Sequence, residues 1–269
     1  MSAALEVSGL RVRRGAREVI RAATVSVPCA ALSVILGRNG SGKSTFLRVV
    51  AGLLPKEAGN VRALGVEVEP ATFARRSRLC GYLAQQTSVV FPFRVEDYVL
   101  TGRGGVAGLV PRDIDRERAA VALAQAGIVA LRDRPVTELS GGELQLVRIA
   151  RVLAQDTPLL LLDEPITHLD IAHQIQVLSL LRDLVAAGRT VVTVLHDATL
   201  ALLFGNEFLY VLDGVVSRAD GPAAMRDETL LEAIYGVPLR VIEPAGAAAV
   251  VPRLPPARPR PMVAPAPDR

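Results

Sequence analysis

The chain has 269 residues, enough for one large domain or one domain with a small appendage. Half of its residues are hydrophobic, yet no stretch reaches the roughly 18 apolar residues that a membrane span needs, and the opening MSAALEVSGLRVRRG lacks a signal core with a cleavage site. The expectation is a soluble, cytoplasmic protein. The formal charge of +4 does not mark a nucleic-acid binder: the segment from Arg253 to Arg269 holds four arginines against one aspartate, which leaves the remainder near neutral.

The two cysteines, Cys29 and Cys80, make neither a disulfide framework nor a metal-ligand cluster and read as reduced thiols in a core. Of the 31 basic residues only Lys43 and Lys56 are lysine. A lysine in so arginine-rich a chain stands out, and Lys43 is where the chemistry begins.

In chain order, Leu5–Val12, Val19–Val27 and Ser33–Leu36 read as strands, apolar or alternating and punctuated by turn residues. A glycine-rich turn, GRNGSGKS, follows, then FLRVVAGLL with helical spacing. Short strand-like runs come around Val61–Leu64 and Val66–Val68. From Val95 to Val136 the pattern turns helical, most clearly over Arg116–Ala126. Beyond it helix and strand alternate: Glu143–Ala154, Leu159–Leu162, Ile171–Ala187, Thr190–Leu195, Thr199–Phe204 and Phe208–Leu212. Apolar strands alternating with amphipathic helices imply an α/β fold with a parallel sheet covered by helices, and the helical middle, about 87–150, reads as an insertion into it. The domain spans 1–243. From 244 to 269 the composition shifts to Pro, Ala and Arg, which implies a flexible tail, with a basic anchoring or partner-binding segment as the alternative.

The turn Gly37-Arg-Asn39-Gly40-Ser41-Gly42-Lys43-Ser44 fits G-x-x-x-x-G-K-[ST], a match expected by chance on the order of once in a thousand such chains. Its glycines let backbone N–H groups converge on phosphate oxygens, and the following helix adds its positive dipole end. Lys43 can reach the β- and γ-phosphates and the Ser44 hydroxyl can ligate Mg2+.

A phosphate cradle alone fits many nucleotide-binding proteins. The ordered set downstream narrows the class, and from about Leu5 to Val251 the chain resembles the ATPase subunits of ABC transporters. Leu139-Ser140-Gly141-Gly142 matches the family's signature, and Leu159–Leu162 ending in Asp163-Glu164 matches its second phosphate motif. Leu169-Asp170 matches the D-loop, Gln85 the Q-loop and His196 the switch histidine. The resemblance implies the P-loop NTPase fold of those ATPases, with an N-terminal antiparallel β subdomain and a helical insertion subdomain. It implies ATP as substrate and Mg2+ held by Ser44, Gln85 and Asp163. Gly37, Asn39, Gly40, Ser41, Gly42, Lys43, Ser44, Thr45, Asp163 and Asp170 are the implied nucleotide contacts, and Glu164, His196 and Gln85 the catalytic set.

A carboxylate ending a buried strand can hold the water shell of Mg2+, the role of Asp163, and Glu164 beside it can polarise the attacking water as general base. Ser140, Gly141 and Gly142 precede a helix and offer a second anion site. In the family that site takes the γ-phosphate of ATP held by the opposite subunit, so the resemblance implies a head-to-tail homodimer. His196 follows an apolar strand and should emerge at the sheet's ligand edge, whereas His168 and His173 read as structural or surface residues, and no spacing suits a histidine metal site.

The departures are Glu143 in place of the commoner glutamine, Leu146 in place of arginine and Ile166 in place of threonine. The position that usually supplies an aromatic ring under adenine aligns with Arg14, whose guanidinium either stacks on the base or is a solvated charge. Four of the ten aromatics, Tyr82, Phe91, Phe93 and Tyr98, cluster after or near Gln85. Phe91 and Phe93 are expected to be exposed toward a membrane partner.

The implied function is the motor of a transporter on the cytoplasmic face of the membrane, with permease subunits and a substrate-binding protein as partners. A soluble ABC protein of translation or repair is the alternative from another class. Those carry two cassettes or a long coiled coil, and only 55 positions separate Gln85 from Ser140. On cargo, the stretch from Leu161 to Gln174 and the ending from Glu232 to Ile242 resemble importers of iron(III)-siderophores, haem and vitamin B12. The stretch from Gln85 to Phe93 and Val99–Arg103 are similar to zinc and manganese importers. The longer, twice-occurring match favours the metal-chelate reading.

Overall fold

The protein's structure is a computed structural model that describes residues 3–69, 72–85, 91–104, 110–243 and 247–253. Its strands are β1 (Ala3–Arg14), β2 (Arg17–Ile20), β3 (Ala22–Ala23), β4 (Val25–Pro28), β5 (Leu32–Gly37), β6 (Ala58–Ala63), β7 (Val66–Glu67), β8 (Cys80–Leu83), β9 (Leu159–Asp163), β10 (Thr190–Val194), β11 (Glu207–Leu212), β12 (Val215–Arg218), β13 (Leu239–Ile242) and β14 (Ala249–Pro252). The helices are α1 (Lys43–Val50), α2 (Phe73–Leu79), α3 (Val95–Leu100), α4 (Asp113–Gln125), α5 (Gly141–Leu153), α6 (Ile171–Ala186), α7 (Ala198–Phe204), α8 (Gly221–Ala224) and α9 (Glu228–Tyr235). The run Val19–Val27, expected as one strand, is broken into parts of β2 and β4, which both pair with β1, and β3, which pairs with β12.

The central sheet runs β3-β12-β11-β5-β10-β9-β8. Pairing is parallel from β11 through β8, β12 is antiparallel to β11, and β3 forms the edge beside β12. Strands β5, β9 and β10 are buried along their whole length, so their residues alternate between two cores rather than between core and water. Ile35, Leu159, Leu161, Val192 and Val194 face one side with Phe46 and Leu47 of α1 and the antiparallel sheet β2-β1-β6-β7, where Leu5, Val7 and Ile20 are fully or nearly fully buried. Val34, Leu36, Leu160, Leu162 and Val191 face the other side with α6 and the helical insertion. One five-residue apolar strand thus serves both layers, and helix or sheet must cover each face.

Helices α3, α4 and α5 lie in chain order between β8 and β9, two parallel neighbours in the sheet. The chain leaves the sheet after Leu83, builds the helical segment and returns at Leu159. A buried ion pair ties that segment together: Arg103 lies 2.9 Å from Asp115 and donates to the carbonyls of Ala154 and Gln155 just past the end of α5. The backbone N–H of Arg112 and the guanidinium of Arg103 hold the Asp115 carboxyl below its ordinary range. Tyr98 is buried in this core, whereas Phe91 and Phe93 are exposed as expected, their rings 6.0 Å apart. Residues 86–90, part of the stretch similar to zinc and manganese importers, lie outside the described residues.

Two expectations need correction. Cys29 is exposed and Cys80 half-buried, because Cys29 ends the short β4 at a turn rather than entering a core. The end of the fold is also later than 243. β13 and β14 form an antiparallel hairpin from Leu239↔Pro252 to Ile242↔Ala249. The Thr199 hydroxyl accepts from Val250 N at 3.0 Å and donates to Val250 O at 3.3 Å, fixing β14 to α7, and Arg253 pairs with Glu228. The apolar run Ala247–Val251 sits inside the Pro/Ala/Arg-rich composition and satisfies its backbone by pairing with β13. Residues 244–246 and 254–269 of the expected tail lie outside the described residues.

A chain ending after Arg253 is expected to keep the full-length Tm, whereas one ending after Ile242 loses the β14 ladder and the Thr199 bonds. Its Tm should fall by about 5 °C or more in calorimetry. Equal Tm values for both truncations would show that the hairpin contributes nothing.

Candidate functional site

The parallel register brings the ends of β5, β10 and β9 to one edge of the sheet, the place where open α/β sheets receive ligands. β5 ends in Gly37 and leads into α1, β9 ends in Asp163 followed by Glu164, and His196 comes two residues after β10. Three chain segments far apart in sequence therefore open onto one cavity of about 720 Å3. Its walls carry Asn39, Gly40, Gly42, Lys43, Ser44, Thr45, Gln85, Glu164 and His196, together with Arg14, Arg17, Val19, Thr167 and His168.

The cradle is built by glycine where no other residue fits. Gly42 caps α1 at φ 112°, and a Cβ there would lie 2.9 Å from Ile20 Cδ1. Lys43 folds back, its Nζ donating to the carbonyls of Gly37 at 2.8 Å and Arg38 at 2.9 Å. Burial lowers its pKa, and the nearby carboxylates of Glu164 and Asp163 oppose that shift. Its ammonium is thus parked on loop carbonyls that a phosphate oxygen could displace.

Asp163 is fully buried. Its Oδ1 accepts from the Ser44 hydroxyl at 2.8 Å, and its Oδ2 accepts from the Tyr82 hydroxyl at 3.3 Å. Burial pushes the carboxyl pKa up, more than those two hydrogen bonds pull it down. Burial also pushes the Tyr82 phenol up to about 12, so it stays a donor. Ser44 and Asp163 present hard oxygen donors side by side, a set that suits Mg2+ shared with phosphate oxygens and water.

Glu164 adopts φ 55°, a left-handed conformation that costs energy in a non-glycine residue. Three side chains grip its carboxylate. Gln85 Nε2 donates to Oε2 at 2.7 Å, the Thr167 hydroxyl donates to Oε2 at 3.2 Å, and His196 Nε2 lies 2.6 Å from Oε1. This nearly buried carboxylate is aimed by its neighbours at the same cavity that Lys43 lines.

The signature residues Ser140, Gly141 and Gly142 line no wall of the Lys43 cavity, although Gly141 borders a smaller pocket beside Gln85 and Glu164. Ser140 caps α5 through a capping box: its hydroxyl accepts from Glu143 N at 3.3 Å, and Glu143 Oε2 accepts from Ser140 N at 2.8 Å. Arg134 lies 3.5 Å from that carboxylate and donates to Glu138 O. Asp170 caps α6. Neither Ser140, Gly142 nor Asp170 lines the cavity that holds Lys43.

A sequence profile described as ABC transporter matches residues 20–167. The chain belongs to the ABC transporter family. It is 38% identical over 246 residues to the hemin import ATP-binding protein HmuV of Streptomyces coelicolor, covering 91% of this chain and 88% of the relative. The achromobactin transport ATP-binding protein CbrD of Dickeya dadantii is 37% identical over 221 residues, 81% and 82% of the two chains. Among solved structures, an inward-facing ABC transporter of metal-chelate type is similar at a TM-score of 0.82 and 28% identity, over 94% of this chain and 98% of that one. An ATP-binding cassette dimer in a post-hydrolysis state with ADP and Pi is similar at a TM-score of 0.69 and 27% identity, over 80% and 97%. As an ABC ATPase, this chain has no helix, among the described residues, long and apolar enough to cross a membrane.

The ATPase site also uses residues that motif reading missed. Thr167 and Tyr82 touch the two carboxylates, and Gln145 donates to Pro165 O at 2.8 Å, tying α5 to the loop after Glu164. Arg17 pairs with Arg14 across the β1–β2 turn, and both, with Val19, border the cavity. His168, expected to be structural or surface, reaches the cavity at φ 65°.

Folding raises the Asp163 pKa, so the folded state holds that proton more tightly than the unfolded chain does. The cost of its charge is absent below about pH 4 and grows as pH rises through the raised value. In nucleotide-free ABC ATPase without Mg2+, Asp163→Asn should therefore raise Tm by a few degrees near pH 7 and lose that gain toward about pH 4. A lower Tm across the whole range would contradict the assignment.

Proposed function

We propose that this ABC ATPase binds ATP with Mg2+ in the Lys43 cavity and hydrolyses it with Glu164 as general base. Two subunits would pair head to tail so that each ATP is shared. The observation that carries the reading is the strained, triply held Glu164 carboxylate on the wall of the phosphate cradle. In this scheme Lys43 leaves the Gly37 and Arg38 carbonyls for the β- and γ-phosphates, and the loop N–H groups take the remaining oxygens. Ser44, Asp163 and Gln85 would hold Mg2+, which supplies charge neutralisation on the phosphates when bound. Glu164 accepts a proton from the attacking water, and His196 and Gln85 keep its carboxylate aimed at that water.

Ser140, Gly141 and Gly142 open a helix N-terminus that lines no wall of the Lys43 cavity, which suits a site completed by a second subunit. Ile171 beside Asp170 is 77% exposed, apolar surface that a second copy of the chain would cover. Arg14 and Arg17 would supply guanidinium planes to the base in place of an aromatic ring.

The cargo reading is an iron chelate, haem or cobalamin. It is supported by relatives whose names specify hemin, cobalamin and achromobactin, and by likeness to a metal-chelate transporter. The membrane subunits and a substrate-binding protein would select that cargo, with the ATPase at the cytoplasmic face and the exposed Phe91 and Phe93 toward the permease.

Lys43→Ala is expected to abolish tight ATP binding. Glu164→Gln should keep binding, lower kcat by about a hundredfold or more, and accumulate as an ATP-bound dimer in size-exclusion chromatography. Near wild-type turnover in Glu164→Gln would remove Glu164 from the role of base. Deleting the gene should reduce uptake of labelled ferric chelate, hemin or cobalamin. A loss confined to zinc or manganese would overturn the cargo reading.

A further inference from the structure

In the shared-site dimer, on which this inference rests, one subunit sends two separate segments to its partner's nucleotide: the turn Ser140–Gly142 and the loop ending at Asp170. They are 28 positions apart in sequence and meet at His173. The backbone N–H of His173 donates to Asp170 Oδ1 at 2.9 Å, which by itself completes the cap of α6. The imidazole adds what a cap does not need. Its Nδ1 lies 2.9 Å from Asp170 Oδ1 and 3.0 Å from Oδ2, bridging both carboxylate oxygens.

The face of the same ring lies against Gly142. A Cβ at that position would sit 2.3 Å from His173 Cδ2 and 2.5 Å from both Cγ and Nε2. Gly142 has no left-handed φ, so the backbone does not call for glycine; the room taken by the imidazole does. One side chain therefore bonds the D-loop carboxylate through Nδ1 and packs its ring face on the signature backbone. It is 30% exposed, at the surface where both segments face outward. The hydrogen bonds from His173 N and its ring hold the Asp170 carboxyl below the ordinary range, so the acceptor stays charged near neutral pH.

We propose that His173 is a positioning residue that locks the signature turn to the D-loop, so that both reach the partner's nucleotide as one body. It touches no nucleotide itself and lines no wall of the Lys43 cavity. Its loss would leave ATP binding to a single subunit intact and weaken the steps that need two subunits.

The test uses the full chain. His173→Ala keeps the backbone cap, so Tm should stay near wild type. Affinity for a fluorescent ATP analogue should change by less than about twofold. The kcat should fall about tenfold, and in the Glu164→Gln background the ATP concentration needed for half-dimerisation should rise by about the same factor. His173→Asn, which can donate to Asp170 from the place of Nδ1, should recover part of that rate. Unchanged kcat in His173→Ala overturns the inference, as does a parallel loss of analogue affinity or an asparagine variant no better than alanine. The shared-site reading fails separately, and takes this inference with it, if Glu164→Gln with wild-type His173 binds ATP and stays monomeric.

Discussion

The Asp163 carboxylate is fully buried, and its two hydrogen bonds come from neutral hydroxyls, those of Ser44 and Tyr82. Burying a charge with so little compensation costs stability, and proteins keep such groups where a ligand completes them. The rest of the site is arranged around that deficit. Lys43, the buried cation of the cradle, is held on backbone carbonyls rather than on the carboxylate. Glu164, the next residue, is forced into a left-handed turn and held by three side chains, Thr167 from its own loop and Gln85 and His196 from distant segments. Bound nucleotide with its metal would replace these internal contacts by stronger ones, which links site occupancy to the order of the surrounding loops.

What holds those segments in place is the two-sided parallel sheet. Because β5, β9 and β10 are buried on both faces, a one-residue shift of any of them would exchange residues between two differently shaped cores. The register Val194↔Asp163 and Val194↔Ile35 then fixes how far each catalytic residue projects beyond the sheet edge. Precision at Asp163, Glu164 and His196 follows from packing many residues away. The strands contribute position, and the loops beyond them contribute the donors.

Much of this was legible in the chain because the chemistry uses short contiguous motifs attached to strongly apolar strands. GRNGSGKS and LLLLDE announce both their chemistry and their places in the sheet. Other parts had no such signal. β8 is four residues long and contains a cysteine and a glycine, so nothing in its composition separates it from a loop, and only pairing with β9 makes it a strand. β14 was hidden inside a segment whose overall composition argues against order, and pairing with β13 overrides that composition. Tyr82 and Thr167 act through distances that no spacing rule encodes. His173 read as a structural or surface residue because a lone histidine usually is one, and its contacts with Gly142 and Asp170 come from folding two distant segments together.

In the proposed mechanism each ATP site is completed by the signature turn of a second subunit. Disulfide trapping between Asn39→Cys in one subunit and Ser140→Cys in the other tests it directly. The background would be Glu164→Gln with Cys29 and Cys80 replaced by serine. A disulfide needs Cα atoms about 4.4–6.8 Å apart, so it reports direct apposition of cradle and signature. A 39–140 cross-linked dimer is expected to form with ATP and Mg2+ and to be absent without nucleotide. No cross-link with saturating ATP, or one that forms equally without it, would contradict the shared site.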